Sequence, residues 1–547
     1  MVETAETEES TVSEPQSIPA PSRRTVLRAS FAAGAAVIGG SVASAQSLGS
    51  VGDVLGGLGG SLAPARPVLT HGVAAGDVRR DGALIWARAD RPSRMIVETA
   101  ATDSFAGARR WNGPVLTPES DGTGRMRLVG LEAGQDVHYR VRLTDALTSA
   151  ESEPVTGVFR TAPAERGPIR LQWSGDVCGQ GFGINPDRGG MRVWRTMADR
   201  HPDLFLHSGD TVYADGPLTE TVALADGSTW RNIVTPEKSK VAETLQEYRG
   251  QFSYNLLDEN YRYFNSRVGQ AVQWDDHEVL NNWYPGEVLT GDVAAKYTEK
   301  NVDVLAARAF RAFHEWLPLD ETAAVDGRVY RKIAYGPLLD VFVLDMRTYK
   351  DANSLGSRGA DGRILGDKQV RWLVDEVTRS TATWKVIAAD LPVGLVVPDG
   401  PSDIEAVAQG DPGAPQGRET EIARVLKAFK DAGVRNHVWL TADVHYTAAH
   451  HYDPSRAAFT DFDPFWEFVS GPLNAGAFGP NPLDGTFGPR LEFVHAPGAD
   501  HANTPPSDPS FQHFGEVRID TDGRFTVDLL DATGRSLWAT TLEPHAR

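Results

Sequence analysis

Along residues 67–161 the apolar positions come in short bursts of strand length, broken by turn residues. Residues 137–143 (Val-His-Tyr-Arg-Val-Arg-Leu) alternate with a period of two, the pattern of a half-buried strand. Residues 83–88, 95–99 and 155–161 are further strand candidates, and Gly130-Leu131-Glu132-Ala133-Gly134 marks a turn. No helical stripe intervenes, so this span predicts a β-sandwich. The pattern changes at residue 169. Apolar strands at 169–175, 203–208, 270–274, 338–344, 384–388 and 437–441 alternate with helical stretches at 192–199, 302–316, 368–378 and 418–431. Such alternation predicts an α/β body. In the tail, strands at 516–520 and 525–529 flank Asp522-Gly523, a hairpin signal, and are expected to complete a sheet.

Upstream of these elements the pattern is that of an address. Residues 1–21 are rich in Glu, Thr, Ser and Pro and have little to bury. Ser22-Arg23-Arg24-Thr25-Val26-Leu27-Arg28, a weakly apolar stretch and Ala43-Ser44-Ala45 follow in the order of a cleavable export signal. Residues 1–45 are therefore read as a twin-arginine signal peptide. The twin-arginine export machinery is its partner, and the destination is periplasmic or extracellular. Its Gly-rich apolar core argues against a stable membrane anchor. Residues 46–64 read as a Gly-rich linker, 65–165 as the β-domain and 166–547 as the α/β body.

Composition narrows the function. The chain has 547 residues and a formal net charge of -19, so nucleic-acid binding by whole-molecule attraction is not expected. No long Gly-poor apolar run suggests multiple membrane spans. Cys178 is the single cysteine. This excludes an internal disulfide and any Cys-rich zinc or iron–sulfur site. A metal would have to be held mainly by Asp, Glu, His, Asn or Tyr.

Those residues fall in a pattern. Four strand candidates run directly into acids: Asp176, Asp210, Asp275-Asp276 and Asp443. In α/β sheets ligands gather beyond the carboxyl ends of strands, where converging carboxylates repel and multivalent cations relieve the repulsion. Ser208-Gly209-Asp210-Thr211-Val212-Tyr213 offers a carboxylate and a phenol. Trp274-Asp275-Asp276-His277-Glu278 places four ionisable groups after an apolar strand. Thr441-Ala442-Asp443-Val444-His445 sets carboxylate and imidazole two residues apart. His450 and His451 read as loop residues.

Taken together these turns resemble the PhoD-like alkaline phosphatases and phosphodiesterases of the metallophosphatase superfamily. Further support lies in His71-Gly72-Val73-Ala74-Ala75-Gly76-Asp77, Leu344-Asp345-Met346-Arg347-Thr348-Tyr349, and Leu365-Gly366-Asp367-Lys368-Gln369. The resemblance implies an αββα metallophosphatase sandwich preceded by an immunoglobulin- or fibronectin III-like domain. It implies metal ligation at Asp176 or Cys178, a bridging Asp210, a phenolate Tyr213, and ligands at Asp276, Asp443 and His445. His277 would be the transition-state donor or general acid. Asp390 stands where the superfamily usually has a further histidine. Asn281 and Asn282 are polar candidates without an assigned role.

Iron plus calcium are the implied metals. The implied reaction is hydrolysis of phosphate monoesters or diesters, including phospholipid- or teichoic-type diesters, by a metal-held hydroxide. A Gly-rich phosphate loop and a Gly-x-Ser-x-Gly elbow are both missing from the sequence. The rival readings are a phospholipase-D-like phosphodiesterase on the same scaffold and a non-catalytic, calcium-dependent binding protein. The aromatic residues between 214 and 268 would either build the core or shape the pocket.

Overall fold

The computed structural model describes residues 66–353, 362–411, 413–498 and 503–545. The twin-arginine segment and the Gly-rich linker lie outside the described residues. The described residues all fall in one compact unit.

In chain order the N-terminal strands are β1 (Leu69–Gly76), β2 (Gly82–Ala89), β3 (Ser93–Ala100), β4 (Arg109–Leu116), β5 (Thr123–Val129), β6 (Asp136–Asp145) and β7 (Val155–Arg160). The body opens with β8 (Ile169–Ser174), α1 (Val193–Ala198) and β9 (Leu204–Ser208). A small hairpin of β10 (Thr221–Ala223) and β11 (Thr229–Arg231) follows. Next come α2 (Leu245–Asn255), α3 (Glu259–Asn265), β12 (Gly269–Gln273), α4 (Gly291–Ala295) and α5 (Val302–Trp316). The second half contains β13 (Arg331–Ala334), β14 (Leu339–Val343), α6 (Gly366–Arg379) and β15 (Trp384–Ala388). After it come the short β16 (Pro398–Asp399) and β17 (Asp403–Ile404), then α7 (Glu419–Asp431) and β18 (His437–Thr441). It ends with β19 (Thr447–Tyr452), β20 (Phe465–Val469), β21 (Pro489–His495), β22 (His513–Ile519), β23 (Phe525–Asp531) and β24 (Ser536–Leu542).

Two large sheets dominate. One has the order β24-β23-β22-β8-β9-β12-β1-β2-β5 and the other β13-β14-β15-β18-β20-β19-β21. Strands β8, β9, β12 and β1 run parallel to one another in the first, as do β14, β15, β18 and β20 in the second, and the strands flanking each set are antiparallel. Leu171, Leu206 and Ala271 of the first sheet share one core with Val341, Val386 and Leu440 of the second. Alternation then sends Phe205 and Val272 to the opposite face, where α1, α2, α3 and α5 cover them. On the far side Phe342, Ile387 and Trp439 pack against α6 and α7. The result is an αββα sandwich.

The N-terminal segment is β throughout, yet its sheet crosses the expected 165/166 boundary. Strand β1 pairs in parallel with β12, and β2 and β5 extend the same sheet. The other four strands form a separate sheet, β4-β3-β6-β7, whose Val97, Val141 and Phe159 join the common core. Asp77 fixes this junction. Its carboxylate accepts from Arg331 Nε at 2.9 Å and Nη2 at 2.7 Å, both side chains being buried, while Arg331 Nη1 donates to the carbonyl of Val272 on β12. Among the aromatic residues between 214 and 268, Tyr248 and Phe252 on α2 and Tyr261 and Phe264 on α3 are core side chains beneath the first sheet.

Candidate active site

The carboxyl ends of the parallel strands in both sheets supply the acidic turns. Asp176 follows β8, Asp210 follows β9, Asp275 and Asp276 follow β12, Asp390 follows β15, and Asp443 and His445 follow β18. Each strand must turn sharply as it leaves the sheet. Asp176, Cys178, Asp210, Asp443 and His445 all take positive φ, from 47° to 67°. Non-glycine residues rarely adopt this conformation, and it costs on the order of 1–3 kcal/mol each. Such strain clusters where side-chain placement matters more than backbone comfort.

Backbone bonds tie the turns together. Val177 N–H donates to the carbonyl of Asp210, Ala214 N–H to that of His277, and Asn474 N–H to that of Asp176. Gly209 has φ +93°, and a Cβ there would lie 2.5 Å from that of Asp275. This glycine is what allows the β9 and β12 turns to touch.

Asp176, Asp210 and His445 place one potential ligand atom each within 4.8 Å of one another. So do Asp210, Asp276 and His277. The two groups share Asp210. Asp176 Oδ2 is buried and has no hydrogen-bond partner, an arrangement that is costly for a carboxylate unless a cation completes it. Burial raises the pKa values of Asp176 and Asp210 well above the usual carboxylate range, and the charge of Asp275 adds to the rise. The donor set of oxygen plus imidazole nitrogen, with negative charge in excess, therefore fits hard or borderline cations.

The imidazoles are set for different tasks. His445 Nδ1 lies 2.5 Å from the carbonyl of Gly476, which can only accept, so Nδ1 carries the proton. Nε2 is then the free lone pair. It accepts from the Tyr213 hydroxyl at 2.8 Å and lies 3.6 Å from Asp176 Oδ1. Burial pushes His445 down to about 4, so the ring is neutral, the form that binds metal. Burial holds the Tyr213 phenol well above its ordinary value, and the charges of Asp210 and Asp176 raise it further. It stays protonated unless a cation displaces the proton.

His277 is the converse. Burial opposes its charged form, but Asp215 and Asp276 outweigh that, and its value is pushed up to about 10. Nδ1 donates to Asp215 Oδ1 at 2.7 Å, and Nε2 lies 4.0 Å from Asp276 Oδ1. The Tyr213 ring lies alongside, its centroid 4.2 Å away. Sequence reading missed Asp215. It belongs to no strand end, and only its position after Tyr213 signals it. Its other oxygen accepts from Asn281 N–H at 2.8 Å, while Asn282 N–H donates to Asp276 Oδ2 at 2.5 Å. The two asparagines thus contribute backbone amides.

The remaining candidates fall outside both groups. Cys178 Sγ lies 3.5 Å from Met191 Sδ, takes a long bond from Asn474 Nδ2 at 3.8 Å, and is pushed up to about 12 by burial. The thiol sits in the outer core beside Val177 and Met191. Asp443 Oδ1 lies 3.6 Å from Arg347 Nη2, and Asp390 Oδ1 accepts from Gln273 Nε2 at 2.9 Å. Two of the four ionisable residues after Trp274 are structural. Asp275 pairs with Arg347, and Glu278 accepts from Thr211 N and Oγ1 and from Asp275 N at 2.6–2.8 Å. His450 is not a loop residue. It lies on β19, buried, with Nδ1 3.3 Å from Glu467.

Two β-sheets face to face, helices outside, and an acid- and histidine-lined edge at the strand ends define a metallophosphatase-like enzyme fold. A purple acid phosphatase from yellow lupin shares it, with a TM-score of 0.57 at 12% identity over 88% of this chain and 75% of that one. A solved structure of PhoD superposes with a TM-score of 0.65 at 22% identity, covering 87% of this chain and 93% of the other. The chain belongs to the PhoD-like phosphatase family, whose model matches residues 171–529, and the family's N-terminal domain matches residues 58–163. Alkaline phosphatase D of Bacillus subtilis (strain 168) is 29% identical over 442 residues, spanning 75% of this chain and 70% of that protein. The chain is thus an enzyme of the phosphatase class.

Proposed function

We propose that this protein hydrolyses phosphate esters at a two-cation site in which Asp210 serves both cations. Asp176 and His445 hold one side, assisted by the Tyr213 phenol. Asp276 holds the other, with Asp443 beside it. Cys178 stays outside this set, because its thiol packs on Met191. The observation that carries the reading is that the buried Asp210 carboxylate lies within 4.8 Å of Asp176 and His445 in one group and of Asp276 and His277 in the other, with His277, whose Nδ1 donates to Asp215, kept as the donor rather than a ligand. Cations held there would offset the phosphoryl charge and make water nucleophilic near neutral pH.

The chain's own residues perform the rest. His277, protonated and fixed by Asp215, donates to the phosphoryl or leaving-group oxygen through Nε2. The His277 and Asp215 side chains are 13% and 14% exposed, whereas those of Asp176 and His445 are 1% and 3%. Substrate therefore enters from the His277 side, and the dry side holds the ligands. Iron plus calcium suit the Asp, Tyr and His donors. Export through the twin-arginine route rests on the Ser22–Arg28 and Ala43–Ala45 sequences.

The test is hydrolysis of p-nitrophenyl phosphate and bis-p-nitrophenyl phosphate by purified protein supplied with iron and calcium. Activity that disappears in Asp210→Asn is expected, and the ratio of the two rates assigns monoester or diester preference. No hydrolysis of either compound would overturn the reading.

A further inference from the structure

The segments Leu344–Tyr349 and Leu365–Gln369 stand out in the sequence, yet neither supplies a member of the two ligand groups. The structure links them. Gln369 on α6 clamps the turn after β14: its Oε1 accepts from Asp345 N at 2.8 Å and its Nε2 donates to Asp345 O at 2.7 Å. Asp345 Oδ1 then accepts from Trp274 Nε1 at 3.0 Å, Arg347 N at 3.2 Å and Thr348 N at 2.9 Å. This rigid turn projects Arg347, fully buried, among five carboxylates. Its Nε lies 2.5 Å from Asp275 and 3.5 Å from Asp390, and Nη1 lies 2.8 Å from Glu405. Nη2 lies 3.6 Å from Asp443 and 3.9 Å from Asp276. Glu405 is steadied in turn by Arg418, whose Nη1 donates to the carbonyls of Ile404 and Ala406 at 3.1 Å.

We infer that Arg347 is a positioning residue for the proposed cation site, a fixed internal cation that holds Asp276 and Asp443 in place behind it. The inference rests on the two-cation reading above. A buried guanidinium has five N–H donors and a charge to satisfy, so it is the identity of the acceptors, not their number, that points to the site. Here Asp275 and Glu405 grip the guanidinium directly, and the longer contacts go to Asp276 and Asp443, two strand-end acids from different sheets. A planar, permanently charged group can face several carboxylates at once, which an ammonium cannot. Outer partners of this kind typically change metal affinity or activity about 10–100-fold when removed.

The experiment titrates calcium chloride alone into chelator-stripped parent, Arg347→Met, Arg347→Lys and Asp275→Asn/Arg347→Met proteins by calorimetry, with circular dichroism as the folding check. Expected is an affinity for calcium about 10–100-fold weaker in Arg347→Met. Arg347→Lys should fall between the two, and the double variant should recover part of the loss because the gripping carboxylate leaves with the fork. With p-nitrophenyl phosphate, kcat should fall while KM changes little, and raised calcium should restore part of kcat. A folded Arg347→Met protein with calcium affinity and kcat within twofold of the parent overturns the inference. If Arg347→Met does not fold, Arg347→Lys decides, and parental calcium affinity in it overturns the inference equally. A parent that binds no calcium and cleaves no ester would instead overturn the two-cation reading itself.

Discussion

At the scale of single residues, placement is decided by hydrogen-bond partners that the chain brings from far away. His277 and His445 are both imidazoles at strand-end turns, yet one is held charged and the other neutral. The difference lies in the partner of Nδ1. Asp215 supplies a negative charge to His277, and Gly476 supplies only a carbonyl dipole to His445. Replacing Asp215 by Asn removes that charge, so the His277 value must fall from about 10 toward the ordinary imidazole range. The expected outcome is a kcat about 10–100-fold lower, with the alkaline limb of the pH–kcat profile moved to lower pH. An unchanged limb would exclude His277 as the group it reports. Cys178 shows the limit of reading residue types. A lone cysteine two residues from a candidate ligand invites a metal role, but its side chain turns into the outer core.

At the scale of elements, the turns carry the strain and the strands carry the register. Gly209→Ala tests the first. The added Cβ meets Asp275 at 2.5 Å and the backbone keeps φ +93°, so stability should fall by about 1–3 kcal/mol, measured by thermal unfolding. Strand β22 tests the second. Glu516 is buried beside β8, where its Oε2 accepts from Gln172 Nε2 at 3.0 Å and from Arg200 Nε at 2.8 Å. Burial alone would raise Glu516, but the Arg200 and Gln172 bonds outweigh it and hold it below the usual range. A lowered folded value means stability present above the unfolded value near 4.3 and lost as pH falls through the folded one. Glu516→Gln should therefore destabilise by about 1–3 kcal/mol at pH 7, since the charge-assisted bond from Arg200 is lost. It should also flatten the fall in Tm between pH 5 and pH 3.

Several elements were illegible for physical reasons. The Thr447–Tyr452 strand (TAAHHY) has weak β character and looked like a histidine loop, but pairing with both β20 and β21 holds it. The Arg331–Ala334 strand is only four residues long and rests on β14. Strand β5 (TGRMRLV) hides its alternation behind two arginines whose stems reach toward Asp320 and Glu321. In each case tertiary pairing supplies what local propensity lacks.

At the scale of the whole molecule, the site is a charge problem that the fold creates. The pKa values of Asp176, Asp210, Asp390 and Asp443 are all raised, with burial the largest cause in each. Raised folded values contribute stability below the unfolded value near 3.9, and that stability is lost as pH rises through the folded values. Chelator-stripped protein should therefore lose Tm on going from pH 5 to pH 8, while protein supplied with iron and calcium should not. Identical pH dependence in the two forms, by scanning calorimetry, would show that no cation relieves the cluster. Among the described residues no helix is long and apolar enough to cross a membrane.

By itself the sequence determined the local code. Strands ending in acids, helices with one apolar stripe and a tail hairpin all follow from periodicity and turn chemistry, which act within a few residues. That code placed Asp176, Asp210, Asp276 and His445 at strand ends. Only the tertiary structure decided which of them meet, because convergence depends on two sheets facing each other with their carboxyl edges aligned. The same packing chose Asp215 as the partner of His277, turned Cys178 into the core, and set Arg347 among five acids. The His277–Asp215, Cys178–Asn474 and Arg347 contacts join residues 43 to 296 positions apart, and no short-range pattern can encode which distant side chain will fill a given space.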